Sequence, residues 1–189
     1  MSENALPPGW QTKTLGEVAQ VVGGSTPKTS EPSYWGGEIP WITPNDLSRH
    51  GGKYIERGER NITQAGYESC STKMLPAGAV LLSTRAPIGY VAIARNPVCT
   101  NQGFKSFICA PGVDPEYVYW YLKGAKQLAE RYASGTTFLE LSAKAAARLP
   151  IPVAPQPEQG AIVQEIEKQW TRLDAAVAAL KRVHANLKR

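Results

Sequence analysis

Apolar positions near the C-terminal end of the chain fall at Ile162, Ile166, Trp170, Leu173, Val177, Leu180 and Leu187, a spacing of 4-4-3-4-3-7 that follows a heptad seam from Ile166 onward. The surrounding 32 residues, Glu158 to Arg189, contain no proline, and their one glycine, Gly160, sits in the first turn, where it costs least. The pattern predicts a single long helix over 158–189. At a rise of about 1.5 Å per residue it reaches roughly 48 Å, longer than a small domain is wide. Much of its stripe must therefore pair beyond its own domain, as a coiled coil does; a helix folded back on the core is the alternative.

Ahead of the helix, Leu149-Pro-Ile-Pro-Val-Ala-Pro-Gln-Pro157 places four prolines in eight residues, which excludes helix and imposes an extended path. A domain over residues 1–157 is expected to end there. Inside it, Ala79–Thr84, Tyr90–Ala94 and Lys105–Cys109 read as central strands, apolar or alternating and bounded by Pro or Gly. Ile39–Thr43 reads as a shorter strand whose Pro40 suggests a sheet edge. Residues 114–133 read as helix, with Val118, Tyr121, Leu122, Leu128 and Tyr132 on one face and a break at Gly124. The predicted class is α+β: a globular mixed-sheet domain followed by a long C-terminal coiled-coil helix.

Composition narrows the function. A chain of 189 residues holds one domain and an appendage. No apolar run reaches the roughly 18 residues needed to cross a bilayer. The first residues lack the basic and apolar regions of a secretion signal, so a cytoplasmic location and no membrane partner are expected. Three widely spaced cysteines and two histidines match neither a disulfide framework nor a metal-site pattern; no metal and no cofactor are expected. The net charge of +5 permits a polyanion partner without requiring one.

Val22-Gly-Gly-Ser-Thr-Pro-Lys-Thr-Ser30 invites comparison with a phosphate-binding loop and fails it. The register set by Lys28 puts Val22 and Pro27 where the motif needs glycine. Trp35 and Trp41 flank the Gly36-Gly37 turn; they read as closing the edge of a core, with base stacking the alternative. Nucleophile elbow, zinc-protease and nucleotide-binding signatures are all missing, so the chain is not expected to be an enzyme.

The order of the remaining segments carries a resemblance. These are Leu6-Pro-Pro-Gly-Trp10 with Thr14-Leu-Gly-Glu-Val18; Gly24-Ser-Thr-Pro27 with Tyr34-Trp-Gly-Gly37; Ile39-Pro-Trp-Ile-Thr43 with Asp46-Leu47; the run Leu75 to Gly89; Thr100-Asn-Gln-Gly-Phe-Lys105; Ser134-Gly-Thr-Thr137; and Leu149-Pro-Ile-Pro-Val153 leading into Pro157-Glu-Gln159 and Ile162-Val-Gln-Glu-Ile166. Together they resemble the target-recognition domain and conserved helix of Type I restriction-modification specificity subunits.

The resemblance implies sequence-specific recognition of double-stranded DNA, one half of a split site per domain. It also implies a spacer helix over 158–189 that docks DNA methyltransferase (modification) subunits and, through them, the restriction subunit. A full family member carries two recognition domains and two helices, so a half-subunit is implied here, expected to homodimerise through Ile166, Trp170, Leu173, Val177, Leu180 and Leu187. A coiled-coil adaptor without DNA specificity of its own is the alternative.

Motifs shared among proteins that read different sequences are expected to be scaffold, which puts the base readers in the unshared stretch Ser48 to Lys73. Its candidates are Arg49, Lys53, Arg57, Arg60 and Gln64, with donors suited to guanine and adenine edges. Lys28, Arg85, Lys105, Thr136 and Thr137 are the candidates for phosphate contacts.

Overall fold

Every side chain from Val80 to Thr84 is buried. A strand meets that condition only where both faces of its sheet are covered. The computed structural model, which describes residues 6–85, 87–135 and 139–187, is built around this strand. In chain order come β1 (Gln11–Thr14), α1 (Leu15–Val18), β2 (Ala19–Gly23), a 3-10 turn (Pro32–Tyr34), β3 (Trp35–Ile42), α2 (Pro44–Arg49), β4 (Tyr54–Ile55), β5 (Arg60–Ile62) and α3 (Gln64–Glu68). Then follow β6 (Val80–Thr84), β7 (Ile88–Ala94), β8 (Cys99–Thr100), β9 (Phe104–Cys109), α4 (Pro115–Gly124), α5 (Lys126–Tyr132), α6 (Ala143–Ala147), β10 (Pro150–Val153) and α7 (Gln156–Leu187).

The main sheet has the order β2-β9-β6-β7-β4, antiparallel except where β4 joins β7. Its pleat sends Val80, Leu82, Val91, Ile93 and Phe107 toward α1, α4, α5 and α6. Leu81, Ala92 and Phe104 go the other way, against Ile42, Leu47 and Ile55. A smaller sheet, β5-β3-β8, closes that second side over its own core of Trp41, Ile62 and Cys99. Mixed sheets with a long C-terminal helix are the α+β architecture expected. The three central strands and the helix break at Gly124 also lie where the pattern put them.

One expectation is corrected. Pro40 does not mark an edge, because β3 lies in the middle of the small sheet, between β5 and β8. The parallel ladder to β8 involves only Trp41 and Ile42, so Pro40 lies outside it and its missing N–H breaks no pairing on that side.

The proline segment is extended through Pro155, and two of its prolines lie in β10, which pairs with β1 from Gln11↔Val153 to Thr14↔Pro150; its last two residues, Gln156 and Pro157, are instead helical, because proline fits the first turn of a helix. The long helix starts at Gln156, with Pro157 in the first turn, where an amide N–H has no helical partner to lose. Its first turns belong to the domain. Val163 is buried in the helix-side core and Ile162 packs against it.

Gln159 is almost fully buried and its amide is satisfied on both sides. The carbonyl accepts from Asp114 N–H at 2.9 Å, and the NH2 donates to Ala154 O at 2.9 Å and Gly112 O at 3.2 Å. Trp10 adds a rim contact, its indole N–H donating to Glu158 at 2.9 Å. From Lys168 to Leu187 every residue is exposed, so the arm leaves the domain after about three turns.

Replacing Gln159 with Leu should strand one backbone N–H and two carbonyls in a buried site. The expected loss is about 2–4 kcal/mol of stability in urea unfolding followed by tryptophan fluorescence, with the secondary structure of the folded protein retained.

Candidate nucleic-acid interface

One end of the main sheet gathers the C-terminal ends of β2 and β6 and the N-terminal ends of β7 and β9. The loops there are fastened to one another. Ser25 N–H donates to Thr100 O at 3.0 Å, Asn101 N–H to Ile42 O at 3.0 Å, and the Trp41 indole to Ser25 O at 3.0 Å. The Thr26 hydroxyl reaches Gln102, and Asn101 Oδ1 accepts from Gly103 N–H at 2.9 Å. Thr84 takes Gly103 O with both its N–H and its hydroxyl, at 2.7 and 3.1 Å. A Cβ on Gly24 would overlap the carbonyls of Thr100 and Asn101, so no other residue fits there without moving backbone. The shared motifs Gly24–Pro27 and Thr100–Lys105 thus brace each other and leave few polar groups for a ligand.

Cations decorate this brace. Lys28 is exposed directly after the buried Pro27. The Arg85 guanidinium stands 3.4 Å from Glu140. Lys105 is half-buried between neighbours of both signs: burial holds its ammonium below the usual value, Glu140 opposes that and Arg85 reinforces it. Two positive groups share one carboxylate, leaving a net positive charge at the sheet end. Thr136 and Thr137 lie outside the described residues.

The candidate readers sit on the small sheet and α2. Thr43 and Asp46 cap α2 reciprocally, and the second Asp46 oxygen accepts from Glu59 N–H at 2.9 Å. This pins the 56–59 loop so closely that a Cβ on Gly58 would approach Asp46 Oδ2 to 2.7 Å. Arg57 projects from that loop into solvent. Arg49 lies 3.9 Å from Glu59, an exposed pair that contributes little. Arg60 lies over the face of Trp35 at 3.5 Å from the ring centroid. Trp35 itself meets Trp41 edge to face at 5.1 Å, and its indole N–H donates to Lys28 O at 3.3 Å. The tryptophan pair closes the small core and carries an arginine on its outer face. Gln64, at the start of α3, donates to Glu68 at 2.7 Å.

Lys53 stands apart from the other candidates. Its ammonium lies between Glu116 of α4, at 2.8 Å, and Glu167 of α7. Burial alone would lower its pKa, but the two carboxylate hydrogen bonds outweigh that and raise it. Glu116 is driven the other way, lowered by hydrogen bonds from Lys53 and Tyr54 that outweigh its burial. Trp120 completes the cluster, packing on Trp170 at 5.3 Å between ring centroids with the planes tilted by 53°, and its indole N–H reaches Glu167 at 3.5 Å. Lys53 fastens the arm, its ammonium engaged by two carboxylates. The roles of Glu116 and Glu167 had no local signal in the chain, since their bonds to Lys53, Tyr54 and Trp120 span at least 47 positions, and Gln159 acts on Asp114 across 45 positions as well as on the nearby Ala154.

Among the described residues no cluster of three or more His, Cys, Asp or Glu could hold a metal. The cysteines are free thiols, and burial pushes Cys99 and Cys109 up to about 11, which keeps both protonated. No described helix is long and apolar enough to cross a membrane.

Comparison with known proteins places this geometry. Residues 7–181 match the family model of the Type I restriction modification DNA specificity domain. The chain is 46% identical over 157 residues to the Type I restriction enzyme MjaIX specificity subunit of Methanocaldococcus jannaschii, covering 82% of this chain and 36% of that protein. It is 29% identical to the EcoR124I/EcoR124II specificity subunit of Escherichia coli, covering 90% and 43%. The chain thus spans less than half the length of these curated relatives. Among solved structures, a chain from work on complex assembly and conformational transition of the type I R-M system superimposes with a TM-score of 0.81 at 26% identity, covering 99% of this chain and 45% of that one. The HsdS subunit from Thermoanaerobacter tengcongensis shares the fold, with a TM-score of 0.71 at 24% identity, covering 93% and 41%.

The Lys53 cluster sets a pH window for the base of the arm. The lowered pKa of Glu116 contributes stability that is present above its ordinary value of 4.5 and lost as pH falls through the folded value. The raised pKa of Lys53 contributes below its ordinary value of 10.5 and is lost as pH rises through the folded value. Glu116→Gln should therefore cost about 1–2 kcal/mol at neutral pH, with the gap to wild type closing on acidification below pH 4.5 in parallel urea melts.

Proposed function

This chain belongs to the Type I restriction modification DNA specificity family, and from that premise we propose that it is a non-catalytic module that reads one half of a split DNA site and couples it to partner subunits through its long helix. The observation that carries the reading is a division of labour. A braced sheet end holds cations only partly neutralised, while the arm beyond it exposes an apolar stripe: Trp170 is 47% exposed, Leu173 56%, Leu180 69% and Leu187 81%. Burying each such side chain would contribute roughly 1.5–3 kcal/mol, so the stripe asks for a partner helix.

Arg85, Lys105 and Lys28 are suited to phosphate contacts, which fix position without reading sequence. Arg49, Arg57, Arg60 and Gln64 present donors from the small sheet and its loops and are suited to base edges. The arm pairs with a second copy of the chain in this reading. Its charges favour an antiparallel arrangement: residues 158–174 carry Glu158, Glu165, Glu167 and Asp174 against Lys168 and Arg172, a net acidic stretch, and every charged residue after Asp174 is basic. Antiparallel pairing sets acidic base against basic tip, whereas parallel pairing sets like against like. Two domains at opposite ends would then face inverted half-sites separated by a fixed spacer. Methyltransferase subunits, and through them a restriction subunit, would dock along the paired arms, in the cytoplasm and without a cofactor bound by this chain.

Arg85→Ala and Lys105→Ala should each weaken binding to all duplex sequences about equally and flatten the dependence on salt in fluorescence anisotropy titrations. Unchanged affinity for any duplex, across low and moderate salt, would favour an adaptor role instead. For the arm, Leu173→Glu with Leu180→Glu should convert a dimer to a monomer in sedimentation and weaken split-site binding far more than half-site binding. A wild-type chain that stays monomeric at tens of micromolar would overturn self-pairing.

A further inference from the structure

We propose that Arg60 is a guanine-reading residue, held in its reading geometry by Trp35; this rests on the DNA-reading function proposed above. Arginine side chains are normally mobile, and one that must specify a base has to be confined in direction without losing its donors. Stacking does this, because it occupies one face of the guanidinium and leaves the in-plane N–H groups open. Arg60 lies 3.5 Å above the Trp35 centroid. Trp35 is itself immobilised, edge to face on Trp41 and bonded through its indole N–H to Lys28 O. Trp41 is buried and bonded to Ser25 O, so the platform is continuous with the brace at the sheet end. The platform also sets Arg60 beside the segment that carries Lys28.

The other guanidiniums of this part of the domain are held differently. Arg49 lies near Glu59 in an exposed pair, Arg85 against Glu140, and Arg95 against Glu56 and over the Tyr54 ring, so each of them has a carboxylate beside it. Arg57 is exposed, with neither a carboxylate nor an aromatic ring against it among the described residues. Arg60 alone in this group is both stacked and without a carboxylate partner among the described residues, so its N–H fork is oriented and available. A planar fork of two parallel donors matches two adjacent acceptors. In the major groove guanine offers O6 and N7 as such a pair, whereas adenine offers one acceptor and one donor. Lysine at the same place keeps the charge and loses the fork.

The test is selection of bound sequences from a random duplex library by the full chain, comparing wild type with Arg60→Lys, Arg60→Ala and Trp35→Leu. Wild type should enrich a motif with guanine at one defined position. Arg60→Lys should lose that preference by at least about tenfold while keeping the other positions and the salt slope. Trp35→Leu should weaken the same position, with circular dichroism showing the fold retained. If Arg60→Lys enriches the wild-type motif unchanged, or Arg60→Ala lowers all sequences equally with a flatter salt slope, Arg60 is not a base reader although the DNA-reading function stands. If wild type enriches no motif at all, the DNA-reading function falls and the assignment of Arg60 falls with it.

Discussion

The amide of Gln159 is where domain and arm become one body. It takes the N–H of Asp114 and the carbonyl of Gly112 from the turn before α4, and the carbonyl of Ala154 before the helix, so two chain segments meet on one side chain. A leucine of similar size would fill the space and satisfy none of them. The helix therefore cannot swing at its base without uncovering polar backbone. A rigid base is what a spacer requires, because any bend there would multiply along an arm of about 48 Å.

Lys53 extends that rigidity outward by about two turns, from Gln159 to Glu167. Its two carboxylates come from α4 and α7, and the tilted Trp120–Trp170 pair lies beside them. The cluster links the segment entering β4, part of the stretch that differs from the shared motifs, to the helix that would meet other subunits. Packed contacts and ion pairs thus join this segment to the arm.

Charge is spent differently at the two surfaces. At the sheet end Arg85 and Lys105 are partly neutralised by Glu140 and are not fully exposed, which limits their reach and suits them to fixed contacts with a regular polyanion backbone. On the small sheet the guanidiniums are exposed, and one of them is oriented by a ring rather than by a carboxylate. Along the arm, the stretch up to Asp174 is net acidic although it includes Lys168 and Arg172, and the charges beyond it are all basic, a pattern that acts on partner orientation more than on the stability of the isolated helix.

Periodicity alone determined the long helix, its heptad stripe, the three central strands and the break at Gly124, because these depend on spacing within one element and on the local demands of glycine and proline. The order of short motifs along the chain was enough to indicate the family. Tertiary structure decided the rest. Pro40 could sit in the middle of a sheet because the neighbouring strand β8 is too short to need its N–H. Lys53 and Arg60 looked alike as cations in one polar stretch, yet one is captured by carboxylates from α4 and α7 and the other rests on a tryptophan 25 positions earlier. A residue's chemistry is written in the chain, but the partners that redirect a charge come from elements distant in sequence, and only their packing brings them together.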